Sequence, residues 1–399
     1  MTVKKLGENA VFIARMQGFH NAHLNIVRHS LERYDRLIIG IGSARQAPSP
    51  KNPWTADERV EMVKRTLTPA ELDRVVFMPL RDYLYNDNQW ITDVQQKVAM
   101  ITSAPAEKIS IVGRLKDKSS YYIRMFPQWK CDEYITLHPE DATKVRVGMF
   151  EDRMNDVREM VPGPVFDWLS EWKKSEQFEW TLDEHLFYEH YKAMHKFANP
   201  DLPYLPIFTT TDAVVVQSGH VLVVRRKQPP GKHLIALPGG HLDRDMTVEN
   251  NALKELREES KIQIPRDELR KLIVSQRVFD HPERSLRGRT ITHAFCIHLP
   301  DGELAKVEGG DDADKAYWMP LADLYEYEDK FFEDHVHMIL KFTMAFLWLL
   351  MLSGRSHVDH LLSYSHRDGP AVCWTNQAEH AQTLEPTCLQ RPSSEQVQA

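Results

Sequence analysis

Two histidines, His20 and His23, stand three residues apart just after the first apolar run of the chain. Residues at positions i and i+3 of a helix lie on the same side, and a helix N-terminus offers free N–H groups and a positive dipole end to an anion. Imidazoles held there can donate hydrogen bonds to phosphate oxygens. The pattern therefore predicts a phosphate-binding site, although H-x-x-H on its own is more typical of ordinary surface residues at a helix start.

A second group of anion-binding side chains follows the fourth apolar run, in the segment Ser119-Ser120-Tyr121-Tyr122-Ile123-Arg124. Hydroxyls, backbone N–H groups and one Arg at the start of a helix can together bind an anion. Two such positions at the ends of neighbouring strands suit the triphosphate of ATP.

Three glutamates, Glu255, Glu258 and Glu259, are spaced so that they share one face of a helix. Three anions on one face repel each other, and a bound Mg²⁺ or Mn²⁺, which prefers oxygen ligands, relieves that repulsion. Without further context E-x-x-E-E is more often a solvated acidic face, so the surrounding sequence has to decide between the two interpretations.

The elements that would position the histidines belong to an alternating pattern over residues 10–137. Short runs rich in Val and Ile alternate with amphipathic segments, which predicts a parallel sheet covered by helices on both faces. Ligands bind such sheets at the carboxyl ends of the strands. The runs are AVFIAR, RLIIGIG, RVVFMPL, KISIVGRL and DEYITL, at residues 10–15, 36–42, 74–80, 108–115 and 132–137.

The elements that would position the glutamates lie beyond a proline-rich break, Asn199-Pro200-Asp201-Leu202-Pro203. A hairpin is predicted over residues 210–226, then a helix near 247–260 and further strands. We therefore predict an α/β protein: a Rossmann-like parallel-sheet domain at 8–190, a linker at 191–206, an α+β domain at 207–343, and a tail at 344–399 that we expect to be largely disordered.

Composition narrows the class of protein further. The net charge of −7 disfavours general nucleic-acid binding, and the four cysteines contain no C-x-x-C pair, as in proteins of a reducing compartment. The apolar run at 344–352 is far shorter than the roughly 20 residues of a membrane helix, and the N-terminus has no apolar signal region. We expect a cytoplasmic protein without nucleic-acid or membrane partners. A homo-oligomer is compatible with this sequence, which does not fix the oligomeric state.

The N-terminal motifs resemble those of the nucleotidylyltransferase superfamily. Arg15, His20 and His23 resemble its signature G-R-F-x-P-x-H-x-G-H, with Gly18 for the Pro and Ala22 for the second Gly, and the Ser119 segment resembles its motif S-S/T-x-x-I-R. This resemblance implies catalysis by His20, His23 and Arg124. It also implies ATP binding by Arg15, Gln17, His20, His23, Ser119, Ser120 and Arg124.

Finer similarity points to nicotinamide-mononucleotide (NMN) adenylyltransferases. It is carried by Gly42-Ser43-Ala44, Asn52-Pro53-Trp54-Thr55, Glu58-Arg59 and the stretch from Asp82-Tyr83 to Trp90. A cationic pyridinium favours aromatic faces, though either Trp could equally belong to the core, and another phosphorylated acceptor is the alternative. The implied NMN-binding residues are Asn52, Trp54, Arg59, Tyr83 and Trp90.

The glutamate segment resembles the Nudix signature, G-x5-E-x7-R-E-U-x-E-E-x-G-U. The match holds at the three glutamates, and the departures are Met246 for Glu, Lys254 for Arg and Lys261 for Gly. The resemblance implies that Glu255, Glu258 and Glu259 bind Mg²⁺, with Mn²⁺ as an alternative, and that Glu258 is catalytic. It also implies substrate or loop roles for Gly239, Gly240 and Glu308, while Arg225 and Arg226 could face the substrate phosphates or simply solvate a strand edge. The base could be Glu308, Asp311 or Asp312, and these could equally form a solvated acidic loop.

The order of the two domains and the stretch from Phe279 to Arg289 resemble bifunctional NMN adenylyltransferase/Nudix proteins. That resemblance implies NAD synthesis from ATP and NMN, and hydrolysis of ADP-ribose to AMP and ribose 5-phosphate. Two alternatives stay open for the second half. It could be a module that senses ADP-ribose with little turnover, or a purely structural domain.

Overall fold

The N-terminal sheet consists of five parallel strands in the order β3-β2-β1-β4-β5, as the alternating pattern predicts. The computed structural model describes residues 5–113, 118–134, 141–198, 206–310 and 313–352; for 118–121, 197–198 and 344–352 it describes the backbone alone. The strands are β1 (Gly7–Ala14), β2 (Tyr34–Ile41), β3 (Val75–Pro79), β4 (Ile109–Gly113) and β5 (Lys130–Glu133).

Helices cover both faces of this sheet. Alternate residues of the central strands face opposite sides, so Val11 and Ile38 belong to one buried cluster and Phe12 and Ile39 to the other. The helices are α1 (Asn21–Arg33), α2 (Ala56–Lys64), α3 (Pro69–Leu72), α4 (Asp87–Thr102), α5 (Ala142–Phe150), α6 (Met154–Met160), α7 (Gly163–Trp172) and α8 (Glu176–Ala198).

The linker predicted at 191–206 begins within helix α8, which continues to Ala198. The residues at its end are good helix formers, and the first strong helix breaker is Pro200. Residues 199–205, which hold the rest of the predicted linker, lie outside the described part of the chain.

The C-terminal sheet is mixed, with the main order β10-β11-β6-β7-β12; β8 pairs with β7, and β9 with β6. The predicted hairpin is β6–β7, turning through Ser218 and Gly219, both at positive φ. The strands are β6 (Phe208–Gln217), β7 (His220–Arg226), β8 (Ile235–Ala236), β9 (Gly239–His241), β10 (Ile273–Phe279), β11 (Thr290–His298) and β12 (Ala313–Pro320). The helices are α9 (Val248–Ser260), α10 (Arg266–Lys271) and α11 (His335–Leu352).

Helix α9 carries the three glutamates, and local interactions fix both of its ends. The Thr247 side chain accepts a hydrogen bond from the Asn250 amide, which caps the start. Lys261 ends the helix in the left-handed conformation, at φ 46°. A glycine is favoured at such a position, which explains the Gly in the family pattern; here a lysine adopts the same backbone.

Both sheets belong to one compact unit, which ends at Phe346. Residues 353–399, most of the tail for which disorder is expected, lie outside the described part of the chain. Within the described residues, no helix has both the length and the apolar character required to cross a membrane.

Candidate active sites

A cavity of about 1130 Å³ lies where β1 and β2 end, and residues from both halves of the chain line it. Seven of the residues predicted to bind ATP or NMN line this one cavity: Arg15, Gln17, His20, His23, Asn52, Tyr83 and Trp90. The loop after β1 and the first turn of α1 therefore bring the phosphate-binding candidates next to the aromatic ones.

The two histidines stack on each other, with ring centroids 3.8 Å apart. The His20 amide donates to Nδ1 of His23 at 3.5 Å, so the neutral His23 ring carries its proton on Nε2. Burial and the neighbouring His20 hold the pKa of His23 well below its usual value. At neutral pH His23 is thus a neutral hydrogen-bond donor at the N-terminal end of α1.

Gln17 ties the loop after β1 to the loop that carries Asn52. Its side chain donates to the Trp54 carbonyl at 2.9 Å and accepts from the Trp54 amide at 3.2 Å. Asn52 lines the cavity, and its buried Oδ1 has no hydrogen-bond partner among the described residues. A buried acceptor without a partner is costly, so this oxygen is suited to receive a ligand donor.

Two residues predicted to bind NMN do not line the cavity. Trp54 is 2% exposed, and its ring packs against Trp172 of α7 at a centroid distance of 5.5 Å. Arg59 is 1% exposed and donates to the carbonyls of Arg15, Gly42 and Ser43. Arg59 therefore holds together the loops after β1 and β2. Burial lowers its pKa to about 10, which leaves it charged at neutral pH.

Arg146, which the sequence motifs did not single out, lies in the wall of the cavity. It is buried on α5 and donates to the Gln17 carbonyl at 2.7 Å. Burial and the nearby Arg15 lower the pKa of Arg146 to about 10. Arg124, the arginine predicted from sequence, is exposed and is not among the lining residues.

The segment Asp141-Ala142-Thr143-Lys144-Val145-Arg146 ends in an aliphatic residue followed by Arg, as the second superfamily motif does, which is the signal that could have identified Arg146. Asp141 caps α5 by accepting from the Thr143 amide at 2.8 Å, and Asp141 and Ala142 line the cavity. Ser119 and Ser120 lie in a 3₁₀ helix, Lys118–Met125, whose first side chains are outside the described part of the chain.

The far wall of the cavity comes from the C-terminal half, a contribution that no local sequence pattern indicates. It includes residues 281–284 from the β10–β11 connection and 331–334 before α11. Lys51 pairs with Glu283 at 2.8 Å and Arg81 with Glu328 at 2.6 Å, so charged contacts join the two halves next to this wall.

The second candidate site is the glutamate face of α9. Glu259 is buried and accepts from the Gly239 amide at 3.0 Å, while burial raises its pKa to about 8. Gly240 lies so close to Glu255 that a Cβ there would be 2.6 Å from Oε2 of that carboxylate. Glu258 is exposed. Carboxylate oxygens on one helix face form a donor set that suits a divalent metal ion.

Arg226 and Glu308 flank the glutamate face in different ways. Arg226 donates to the Pro230 carbonyl at 2.7 Å and lies over the Phe332 ring, and Glu259 is among the charges that act on it. Glu308 is exposed, with its amide bonded to the Ser260 carbonyl at the end of α9 and its carboxylate 3.4 Å from Lys261 Nζ. Asp311 and Asp312 lie outside the described residues.

Comparison with protein families assigns a domain to each sheet. Residues 11–162 match the cytidylyltransferase-like family and residues 208–342 match the NUDIX domain family. The fold and its two sites thus define a protein that joins a nucleotidyltransferase domain to a Nudix domain.

Relatives agree with this division. The nicotinamide/nicotinic acid mononucleotide adenylyltransferase of Acinetobacter baylyi is 32% identical over 42% of this chain and 88% of its own length. A nicotinamide-nucleotide adenylyltransferase of Saccharolobus solfataricus is 31% identical over 41% and 90%. The crystal structure of a bifunctional NMN adenylyltransferase/ADP-ribose pyrophosphatase from Francisella tularensis, complexed with AMP and a manganese ion, is similar with a TM-score of 0.78 at 30% identity, over 85% of this chain and 99% of that one. The chain belongs to this bifunctional NMN adenylyltransferase/ADP-ribose pyrophosphatase family.

Proposed function

We propose that the N-terminal half transfers AMP from ATP to NMN, giving NAD and pyrophosphate, and that the C-terminal half hydrolyses ADP-ribose to AMP and ribose 5-phosphate with Mg²⁺. The observation that carries the first activity is that the stacked His20–His23 pair, Arg146 and the Tyr83/Trp90 aromatics line one cavity. Phosphate-binding groups and ring-binding groups would thus serve two nucleotides held side by side.

In the adenylyl transfer, an NMN phosphate oxygen attacks the α-phosphorus of ATP while the bond to the β-phosphate breaks. The step needs positioning and charge neutralisation and no covalent enzyme intermediate. Arg15, Gln17, His20, His23 and Arg146 are assigned to ATP, and Asn52, Tyr83 and Trp90 to NMN. Trp54 and Arg59 shape the loops around them from the core.

In the hydrolysis, water attacks the pyrophosphate of ADP-ribose and the P–O–P bridge breaks. Glu255, Glu258 and Glu259 would hold the metal, which polarises the pyrophosphate and lowers the pKa of the attacking water when bound. Gly239 and Gly240 let β9 lie against two of these carboxylates, Glu259 and Glu255. Arg226 and Glu308 flank them as substrate and base candidates.

Incubation of the full chain with ATP, NMN and Mg²⁺ tests the first activity, and release of NAD is the expected result. Absence of NAD, with turnover of a different phosphorylated acceptor, would favour the alternative acceptor. Release of AMP from ADP-ribose, abolished by Glu258→Gln while NAD synthesis continues, is expected for the second. Binding of ADP-ribose without turnover would favour the sensing module, and neither binding nor turnover would favour a structural domain.

A further inference from the structure

The Lys254 ammonium lies among the carboxylates of the Nudix site. Its Nζ is 3.4 Å from Oε1 of Glu255, 3.3 Å from Oε2 of Glu258 and 3.1 Å from Oδ2 of Asp243. Two of these three partners are residues assigned to the metal under the proposed function, on which this inference rests. The positively charged Lys254 side chain therefore pairs with carboxylates on the helix face where a divalent ion would bind.

Two departures from the Nudix pattern explain why the lysine takes this position. The pattern has Arg where this chain has Lys254, and Glu where it has Met246. Met246 provides no carboxylate that could hold a cation at position 254 away from the glutamate face. Lys also differs from Arg in being a compact point charge on a flexible stem, which can settle between several carboxylates instead of binding one of them with a planar fork.

The position of Lys254 conflicts with a metal ion at the same carboxylates. A divalent ion needs direct contact with oxygens of Glu255 and Glu258, and the ammonium contacts both residues. A metal ion would also repel the ammonium at so short a distance. Either Lys254 leaves the face when the metal arrives, or it keeps the metal out.

We propose that Lys254 is an internal counter-ion that competes with the divalent metal for the glutamate face and weakens metal binding to the Nudix site. Lys254 is about one-third exposed, its side chain at 29%, so it can swing into solvent when displaced. The metal concentration at which the hydrolase half becomes loaded is then determined by residue 254 as well as by the three ligands.

Titration of the nucleotide-free full chain with Mn²⁺, followed by the electron paramagnetic resonance signal of free Mn²⁺, tests this competition without measuring activity. Lys254→Met should bind Mn²⁺ about tenfold more tightly than the unaltered chain, which corresponds to about 1.4 kcal/mol. Lys254→Arg, which keeps the charge, should stay within about threefold. Lys261→Met is the matched control, because the Lys261 ammonium contacts Glu308 while its backbone ends the same helix. The Mn²⁺ affinity of this variant should change by less than about twofold.

Each outcome separates this inference from the proposed function. If Lys254→Met and the unaltered chain bind Mn²⁺ equally tightly, and Glu258→Gln abolishes binding, then Lys254 does not compete with the metal. The proposed metal site would still stand. Weaker binding of ADP-ribose by Lys254→Met at unchanged Mn²⁺ affinity would also overturn the competition, by making Lys254 a substrate ligand. If Glu258→Gln leaves Mn²⁺ binding unchanged, the proposed metal site would instead be contradicted. Unchanged NAD synthesis checks that each variant is folded.

Discussion

The Tyr85 hydroxyl donates a 2.5 Å hydrogen bond to Oδ2 of Asp334, and this contact joins the two halves of the chain. Tyr85 follows β3 of the N-terminal sheet, whereas Asp334 immediately precedes α11. Asp334 also accepts from Nε and Nη2 of Arg284, at 3.0 and 2.8 Å, with both side chains almost completely buried. A buried carboxylate requires such partners, so the nucleotide cavity and the Nudix domain share one buried ion pair.

Tyr85→Phe should lower the free energy of unfolding by about 2 kcal/mol, because it removes a donor from a buried carboxylate. Urea unfolding at neutral pH measures the change. Tyr325→Phe is the control, since Tyr325 is half exposed. A loss no larger than that of the control would show that Arg284 alone satisfies Asp334.

Arg146→Ala should lower the rate of NAD synthesis about 10²- to 10³-fold, because a charged donor in the wall of the cavity is lost. Arg124→Ala should change it by less than about twofold, since Arg124 is exposed. Steady-state kinetics with ATP and NMN compare the two variants, and Arg146→Lys separates charge from the fork geometry. A larger effect at Arg124 would restore the role predicted from the sequence.

Gly240→Ala should reduce ADP-ribose hydrolysis at least about tenfold, because the new Cβ would displace the Glu255 carboxylate. NAD synthesis by the same variant should remain within about twofold of the unaltered chain. Gly163→Ala is a suitable control, since a Cβ there meets nothing within 4 Å. Full hydrolysis by Gly240→Ala would remove Glu255 from the proposed metal ligands.

His337 should make stability depend on pH. Burial lowers its pKa to about 4, and its Nε2 has no hydrogen-bond partner among the described residues. Between about pH 6.5 and 4 the unfolded chain binds a proton that the folded chain does not, so stability falls as pH falls, by about 1.4 kcal/mol per unit.

The measurement compares the unaltered chain with His337→Phe by urea unfolding at about pH 7.5, 6.5 and 5.5. The difference in stability between them should shift in favour of the variant as the pH drops. His190→Gln, at an exposed position, serves as the control. Parallel pH profiles for the unaltered chain and His337→Phe would contradict the prediction.

The first four strands could be predicted because they carry their signal locally. The Val and Ile runs of β1, β2 and β4 are mostly buried, those of β3 are partly buried, and the observed β1 to β4 fall within or beside the predicted runs. The last strand is observed at Lys130–Glu133 and so begins two residues before the predicted run at 132–137, of which residues 135–137 lie outside the described part of the chain. Its residues Cys131 and Glu133 are exposed, so the apolar pattern is weak there.

Residue roles that depend on distant contacts could not be predicted. The Trp54 ring is covered by Trp172, which lies 118 positions further along the chain. No local stretch of sequence around Trp54 includes this contact. In the same way, the wall at 281–284 and 331–334 meets the cavity only through the fold. Arg146 could have been identified from the sequence, but the Ser119 segment has more residues identical to the same motif.

The wall that the C-terminal half contributes to the nucleotide cavity has a consequence for how this chain can change over generations. Substitutions at Glu283 or Phe332 would alter the surroundings of the hydrolase and, at the same time, the space where NMN is proposed to bind. Glu184 of α8, on the N-terminal side, also lines the cavity and accepts from the Gly231 amide of the C-terminal half at 2.8 Å. Neither half can drift freely in sequence, nor be exchanged for a homologous domain, without compensating changes in the other.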